Sequence, residues 1–163
     1  MDDGMMTLEE YQEKYARKAR AKRSQRKGKV GEDIATAALQ EKGVRMVDKI
    51  ATPVRIVATK KASGQTWHRV VWEERVRGDR SGILPGGRRV LAEVKTRDEK
   101  LSLSDFEDHQ IAALHVNGRY GGLSLVVWVS LSGTFVMEWP IPGLKKFHPL
   151  SVEQARELEW EGV

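Results

Sequence analysis

The sequence predicts an α/β protein in which helices flank a mixed central sheet, and three observations favour this class. Apolar patterns of helical and strand-like period alternate along the 163 residues. Residues 123–131 form a continuous apolar run, as expected of a central strand that is covered on both faces. The 40% hydrophobic content suffices for one core, and no window is apolar enough to cross a membrane. Collagen, coiled-coil, wholly disordered and membrane-spanning classes are therefore excluded.

The first regular elements are a helix and a short strand. Val30, Ile34 and Ala38 form an apolar stripe at helical spacing, and Gly43 ends it, so the pattern predicts a helix over residues 30–42. Glu32 lies off that stripe. The segment VRMVDK, residues 44–49, follows as a short strand.

A long hairpin comes next, over residues 53–76, where two strand-like segments flank the polar turn KKASGQ. It has too little core to be a domain and too much length to be a simple connection. We therefore expect it to project from the body as a stalk. The alternative is an edge hairpin that covers the sheet.

The rest of the chain alternates between strands and helices. Glycine turns at Gly78 and at residues 85–87 bracket a short strand, and RRVLAEVKT, residues 88–96, is the best strand candidate. Ser104, with Glu107 three residues later, predicts a capped helix that ends at about His115. Further strands are predicted at 123–131 and 134–139, and a last short helix begins at Ser151.

Positive charge is concentrated near the N-terminus. Residues 14–29 carry nine of the 28 basic residues and no acid, so the remaining 19 basic residues face 23 acidic ones. The pattern predicts a basic arm over residues 1–28 and one folded domain over 29–163, with a polyanion as the arm's partner. A solvated tail without a partner is the alternative. The predicted nucleic-acid contacts are Arg17, Lys18, Arg20, Lys22, Arg23, Arg26, Lys27 and Lys29 in the arm, Arg55, Lys60, Lys61 and Arg69 in the hairpin, and Arg80.

Composition also limits the chemistry. The chain has no cysteine, and its four histidines lack zinc-ligand spacing, so any metal must be held by oxygen ligands. The N-terminal segment has no basic region followed by an apolar stretch, which predicts a cytoplasmic protein rather than a secreted one.

Candidate catalytic residues lie between Asp79 and Lys95. Glu93 and Lys95 project from one face of the same strand, and Asp79 stands at the end of the neighbouring strand. Two carboxylates with a peptide carbonyl form a hard oxygen site suited to Mg²⁺ or Mn²⁺. A nearby lysine can orient the attacking water and offset transition-state charge, which is a phosphodiesterase arrangement. Alternatively, Glu93 and Lys95 form a surface salt bridge.

Several motifs add specificity to this site. They are Gly31-Glu32, KIATPVRIV (residues 49–57), GDRSG (78–82), LAEVKT (91–96), LSLSDFEDHQ (101–110) and GGLSLVVWV (121–129). Over residues 28–139 the chain thereby resembles the PD-(D/E)xK nucleases, and within them the RecU Holliday junction resolvases of bacteria and their phages. The resemblance implies a restriction-endonuclease-like fold with a protruding stalk. It also implies a structure-selective endonuclease that resolves four-way DNA junctions.

The resemblance further implies roles for individual residues. Asp79 and Glu93 would bind the metal with the Val94 carbonyl, and Lys95 would position water or stabilise charge. Glu32 would be an outer ligand or a second-metal carboxylate, and Gln110, with His109, would sit beside the site. The implied cofactor is Mg²⁺, with Mn²⁺ as a substitute and no small-molecule cofactor. Two positions depart from the motif: Arg77 replaces a small hydroxyl residue and Arg80 replaces an aromatic one.

A Holliday junction has near two-fold symmetry and needs paired nicks, so we expect a C2 homodimer. The short chain and its divergence predict a phage enzyme. Two other functions stay open at this point: another PD-(D/E)xK endonuclease of restriction or repair type, and a non-catalytic DNA-binding module.

Overall fold

The structure is a computed structural model that describes residues 27–50, 54–62, 65–72 and 78–163. For the two middle ranges it describes the backbone alone. The elements are a helix covering residues 27–41 (α1), β1 (Arg45–Lys49), β2 (Val54–Ala62), β3 (Gln65–Trp72), β4 (Arg80–Ile83), β5 (Arg89–Thr96), a 3-10 helix (Leu103–Asp105), α2 (Asp108–Arg119), β6 (Leu123–Ser130), β7 (Gly133–Glu138) and α3 (Val152–Glu157).

Five strands form the central sheet in the order β1-β4-β5-β6-β7. Strands β5 and β6 are parallel and are connected through α2, whereas the other neighbouring pairs are antiparallel. The predicted mixed sheet is therefore confirmed.

Helices cover both faces of this sheet. On one face Ala35 and Leu39 of α1 pack with Ala92 and Val127. On the other, helices α2 and α3 pack on the sheet through a second set of buried residues, which includes Ala113, Leu114, Ala155, Leu91, Val126 and Trp128. Strand β6 is buried at every position except its last, because it lies between these two cores. The predicted arrangement of a mixed sheet with helices packed on both faces is thus confirmed.

The predicted hairpin is present as a separate two-stranded sheet. Strands β2 and β3 pair antiparallel from Val54 opposite Trp72 to Ala62 opposite Gln65. The hairpin adds no strand to the central sheet. The side chains of Arg55, Lys60, Lys61 and Arg69 lie outside the described part of the structure, as do the arm residues Arg17, Lys18, Arg20, Lys22, Arg23 and Arg26.

The hairpin is inserted between two strands that are themselves neighbours. Lys49 at the end of β1 pairs with Arg80 at the start of β4. The backbone N–H of Ile50 donates to the carbonyl oxygen of Asp79 at 3.2 Å. The chain therefore leaves the sheet after residue 50 and returns beside the same point at residue 78.

The predicted start of α2 at Ser104 is wrong. Ser104 lies in the 3-10 helix, which Ser102 caps together with Asp105. Phe106 is extended and buried, so it interrupts the helical path, and Glu107 then caps α2. The helix also runs on to Arg119, beyond the predicted end at His115.

Helix α1 begins earlier than expected, since residues 27–29 are helical. It is therefore continuous across residue 28, where we placed the boundary between arm and domain. Among the described residues, no helix has both the length and the apolar character needed to cross a membrane.

Candidate active site

Asp79 is fixed at the start of β4 by backbone hydrogen bonds. Its N–H donates to the carbonyl of Ala92 at 3.0 Å. Its side-chain Oδ2 accepts a hydrogen bond from the backbone N–H of Val94 at 2.9 Å. The backbone N–H of Ile50 also donates to the Asp79 carbonyl oxygen. Hydrogen bonds with the residue after β1 and with β5 therefore hold Asp79 in place.

Strand β5 continues beyond the first residue of its antiparallel partner β4. The last pair between them joins Arg80 and Ala92. Peptide groups at alternate residues face the same edge of a strand, so those of Val94 lie on the β4 side beyond that pair. The Asp79 carboxylate takes the Val94 N–H there, and Val94 lines the adjoining cavity. The Val94 carbonyl is therefore placed next to Asp79.

Glu93 and Lys95 point from β5 towards α2 and are both buried, with Glu93 only 1% exposed. The Lys95 Nζ atom lies 2.8 Å from Oε1 of Glu93. Lys95 Nζ also stands 4.9 Å from the centre of the Phe106 ring, within cation–π distance. The surface salt bridge considered as an alternative is thus excluded by burial.

Gln110 connects these two residues from the first turn of α2. Its Oε1 accepts hydrogen bonds from Lys95 Nζ at 2.8 Å and from the backbone N–H of Glu107 at 2.9 Å. Its Nε2 donates to Oε1 of Glu93. The same amide therefore caps the helix and orients the Glu93 carboxylate.

The second oxygen of Glu93, Oε2, is buried and has no hydrogen-bond partner within the described residues. Burial raises the pKa of Glu93, and the negative charge of Asp79 raises it further, to about 7, against the opposing effect of Lys95. Such a carboxylate is costly to keep ionised without a further cation in addition to Lys95.

These donors fit a divalent cation. The carboxylates of Asp79 and Glu93 and the carbonyl of Val94 are hard oxygen ligands, the type that Mg²⁺ and Mn²⁺ prefer. An unpartnered buried oxygen on Glu93 is the feature expected where a cation belongs. In the described part of the chain, no three His, Asp or Glu residues gather into a metal-binding cluster. A cation here would therefore take two carboxylates and a carbonyl from the protein, with water completing the shell.

An open cavity of about 290 Å³ adjoins the site. Asp79, Val94 and Lys95 line one side of it. The others lining it are Lys27, Gly28, Glu32, Thr96 and Arg97. Three cations in this wall suit a phosphate group, although Lys27 and Arg97 are ion-paired with Asp98 and Asp105.

Helix α1 reaches this cavity because Gly31 packs directly on β5. A Cβ atom at Gly31 would overlap Oγ1 of Thr96. Only glycine permits this close approach, which brings Glu32 to the cavity.

Glu32 lies in the cavity wall but is held by cations. Its Oε2 accepts hydrogen bonds from Lys49 Nζ at 2.7 Å and from Arg80 Nη2 at 3.2 Å. Partial burial tends to raise its pKa, but the hydrogen bonds and charges of Lys49 and Arg80 outweigh burial, so the pKa is lowered. The structure therefore does not join Glu32 to the Asp79 and Glu93 pair.

The expectation that Arg80 contacts nucleic acid is contradicted by its burial. The residue is 5% exposed, and its guanidinium bonds Thr36, Glu32 and the carbonyl of Asp79. The physical reason is its register: Arg80 pairs with Ala92, whose side chain packs against α1. Arg80 therefore points into the protein.

Sequence reasoning missed two contributors to the site, Phe106 beside Lys95 and Lys49 beside Glu32. Phe106 lies four residues before Gln110, and this spacing could have indicated that both side chains lie beside Lys95. His109 lies instead near Glu107 and lines a larger groove of about 680 Å³ between α2 and β5. That groove contains neither Asp79 nor Glu93, so it is not the catalytic cavity.

Paired carboxylates and a lysine on adjoining strands of a mixed sheet are the arrangement expected of a PD-(D/E)xK nuclease. The chain belongs to the RecU family, because the family model for recombination protein U matches residues 31–157. It is accordingly a nuclease that resolves Holliday junctions, and the members of this family depend on a metal. No curated protein gives a significant match.

Among solved structures, the chain is similar to Hjc of Archaeoglobus fulgidus, a Holliday junction resolvase from an archaeal hyperthermophile. The identity is 15% and the TM-score 0.48, with 82% of this chain and 96% of that chain covered. The expected phage origin has no support in these comparisons.

Proposed function

We propose that this chain cleaves the strands of a four-way junction at the site formed by Asp79, Glu93, Val94 and Lys95. The observation that carries the proposal is the buried Oε2 of Glu93, which has no partner among the described residues although Asp79 and Lys95 lie beside it. Asp79, Glu93 and the Val94 carbonyl would hold Mg²⁺, or Mn²⁺ in its place. A bound ion of this kind supplies Lewis-acid activation of the phosphate and of water.

The ammonium group of Lys95 is the hydrogen-bond donor of the site. An ammonium has three N–H donors, and two of them are directed at Gln110 and Glu93. The third is available for the attacking water or for a phosphoryl oxygen, whose negative charge grows as the bond to water forms. Gln110 keeps Lys95 and Glu93 in place and is a positioning residue.

DNA contact is assigned to the basic arm, to the hairpin lysines Lys60 and Lys61, and to the cations of the cavity wall. Attraction to phosphate explains their common charge. We also propose a C2 homodimer, since paired nicks in opposing strands need two identical sites. The cytoplasm is the proposed location because the DNA substrate lies there in a bacterial or phage-infected cell.

The test compares cleavage of a synthetic four-way junction with cleavage of linear duplex of the same arm sequences, in Mg²⁺ and in EDTA. We expect metal-dependent cleavage of the junction alone. Equal cleavage of both substrates would favour a general endonuclease of the same fold, and binding without cleavage would favour a DNA-binding module.

Dimerisation is tested separately with a supercoiled plasmid that extrudes a cruciform. Two coordinated nicks convert this plasmid directly to a linear form, whereas a single active site produces nicked circles first. Linear product without a nicked intermediate, together with a dimer mass by light scattering, is expected. A monomer mass at the working concentration would contradict the proposal.

A further inference from the structure

We infer that Arg80 is a positioning residue that keeps Glu32 from binding metal, so that the cavity takes one divalent ion rather than two. The inference rests on the proposed metal site of Asp79 and Glu93 and concerns how many ions enter it. It assigns Arg80 a role inside the protein in place of a contact with DNA.

The guanidinium of Arg80 joins three separate parts of the site. Its Nε donates to Thr36 Oγ1 at 3.0 Å, its Nη1 to the Asp79 carbonyl at 3.0 Å, and its Nη2 to Glu32 Oε2 at 3.2 Å. The planar fork of an arginine holds such partners at fixed relative angles. Because the side chain is buried, water does not compete for these contacts.

Thr36 strengthens the same arrangement. Its hydroxyl donates to the backbone carbonyl of Glu32 at 3.0 Å while it accepts from Arg80. The turn of α1 that carries Glu32 is therefore attached to Arg80 at two points, through the Glu32 carboxylate and through Thr36.

Charge balance explains why this arrangement excludes an ion at Glu32. The single negative charge of Glu32 already faces two cations, Arg80 and Lys49, so this group of three side chains is net positive. A divalent ion there would be repelled by both. Lys49 lies closer to Glu32, but its side chain is 64% exposed and an exposed ion pair contributes little, so the buried Arg80 is the more durable barrier.

Removing Arg80 would reverse this balance. Glu32 and Asp79 line the same cavity, so without the guanidinium two carboxylates would share it. Two carboxylates across one small cavity form an additional oxygen site for a divalent ion.

The experiment titrates the full chain with Mn²⁺ alone, without DNA, and measures the number of ions and their affinity by calorimetry and by the electron paramagnetic resonance of free Mn²⁺. Five variants are compared: D79N, E32Q, R80M, K49M and the double variant R80M/E32Q. Methionine keeps the aliphatic volume of arginine or lysine and removes the charge.

The parent should bind one Mn²⁺. E32Q should retain that ion and lose no more than about 100-fold in affinity, as for removal of an outer-shell partner. R80M should bind a second Mn²⁺, and R80M/E32Q should lose it again. K49M removes one charge beside Glu32, as R80M does, and should still bind a single ion because Arg80 remains.

Two results would overturn the inference. A loss of Mn²⁺ affinity beyond the roughly 100-fold that removal of an outer-shell partner can cost would make Glu32 a direct ligand already. Unchanged stoichiometry in R80M, with circular dichroism of the parent, would show that Arg80 does not restrain Glu32. If R80M does not fold, the E32Q result decides alone. D79N tests the proposed function separately: if it binds Mn²⁺ like the parent, the assigned metal site is wrong whatever Arg80 does.

Discussion

The carboxylate of Asp79 accepts a hydrogen bond from the backbone N–H of Val94 at the point where β4 begins and β5 continues beyond it. One Asp79 oxygen is thus used to hold the two strands together. The other oxygen remains for the proposed metal, and the carbonyl of Val94 stands on the same edge. A structural and a proposed catalytic task are therefore divided between two atoms of one side chain.

This division makes Asp79→Asn an informative variant. Asparagine keeps an oxygen that can accept from Val94, so the fold should survive, but the charge in the metal shell is lost. We expect junction cleavage to fall by a factor of at least about 10². Junction binding should be unchanged or tighter, because repulsion of phosphate decreases. Cleavage at a near-normal rate would remove Asp79 from the site.

The bridging amide of Gln110 can be tested against a matched control. Gln110→Met would leave Lys95 Nζ and Glu93 Oε1 without their common partner, and we expect the cleavage rate to fall about 10- to 100-fold. In α3, Gln154 caps the helix through Ser151 at 3.0 Å, as Gln110 does in α2 through Glu107. Gln154→Met should therefore reduce stability without reducing the rate. Equal effects on rate would reduce Gln110 to a helix cap.

Glu93 should make the metal-free protein less stable as the pH rises. Its pKa is raised from 4.5 to about 7 in the folded state, mainly by burial, so the folded protein holds a proton that the unfolded chain has released. The free energy of unfolding should fall between these two pH values, by on the order of 3 kcal/mol at about 1.4 kcal/mol per pH unit.

The measurement is urea unfolding in EDTA between pH 4.5 and 8, with Glu93→Gln as the control. Glutamine does not titrate, so the difference in unfolding free energy between the two proteins should grow as the pH rises and level off above pH 7. Parallel curves would show that Glu93 does not titrate in this range.

The basic arm is expected to act through charge alone. Deleting residues 1–26 removes seven of the nine clustered cations and leaves Lys27 and Lys29. Each DNA phosphate that the shortened chain no longer neutralises should reduce the slope of log affinity against log salt by about 0.9. An arm of scrambled sequence and equal charge should restore the slope. A slope unaffected by deletion would mean that the arm does not touch DNA.

The hairpin is expected to contribute to junction preference. Replacing residues 58–66 by a short Gly-Ser turn should leave Mn²⁺ binding intact, because the central sheet does not include β2 or β3. The preference for junction over duplex should fall. Lys60→Gln with Lys61→Gln, in a hairpin of full length, separates the effect of charge from that of shape. If the shortened protein discriminates like the parent, junction selectivity arises elsewhere.

Much of this architecture could be predicted from the sequence because it depends on local pattern. The apolar run of β6, the turn glycines and the alternation that places Glu93 with Lys95 are all periodic features. The grouping of Gln110 with Lys95 came from motif resemblance, since no local rule brings α2 to β5. The burial of Arg80 was missed because a four-residue strand such as β4 is too short for alternation to reveal which face is covered. The start of α2 was missed because two adjacent capping boxes compete in one segment, and the buried Phe106 decides between them.

The insertion point of the hairpin links the proposed contact with junction DNA to the proposed chemistry. The chain departs at Ile50 and re-enters at Gly78, and the bond from Ile50 to the Asp79 carbonyl closes this opening. A force applied to the hairpin by a bound junction would thus act on the sheet at Ile50 and at the peptide unit of Asp79, a proposed metal ligand. Because neither β2 nor β3 belongs to the central sheet, the hairpin can also be exchanged for another of different length without altering a pairing of that sheet. Substrate range could change in this way while the catalytic geometry stayed the same.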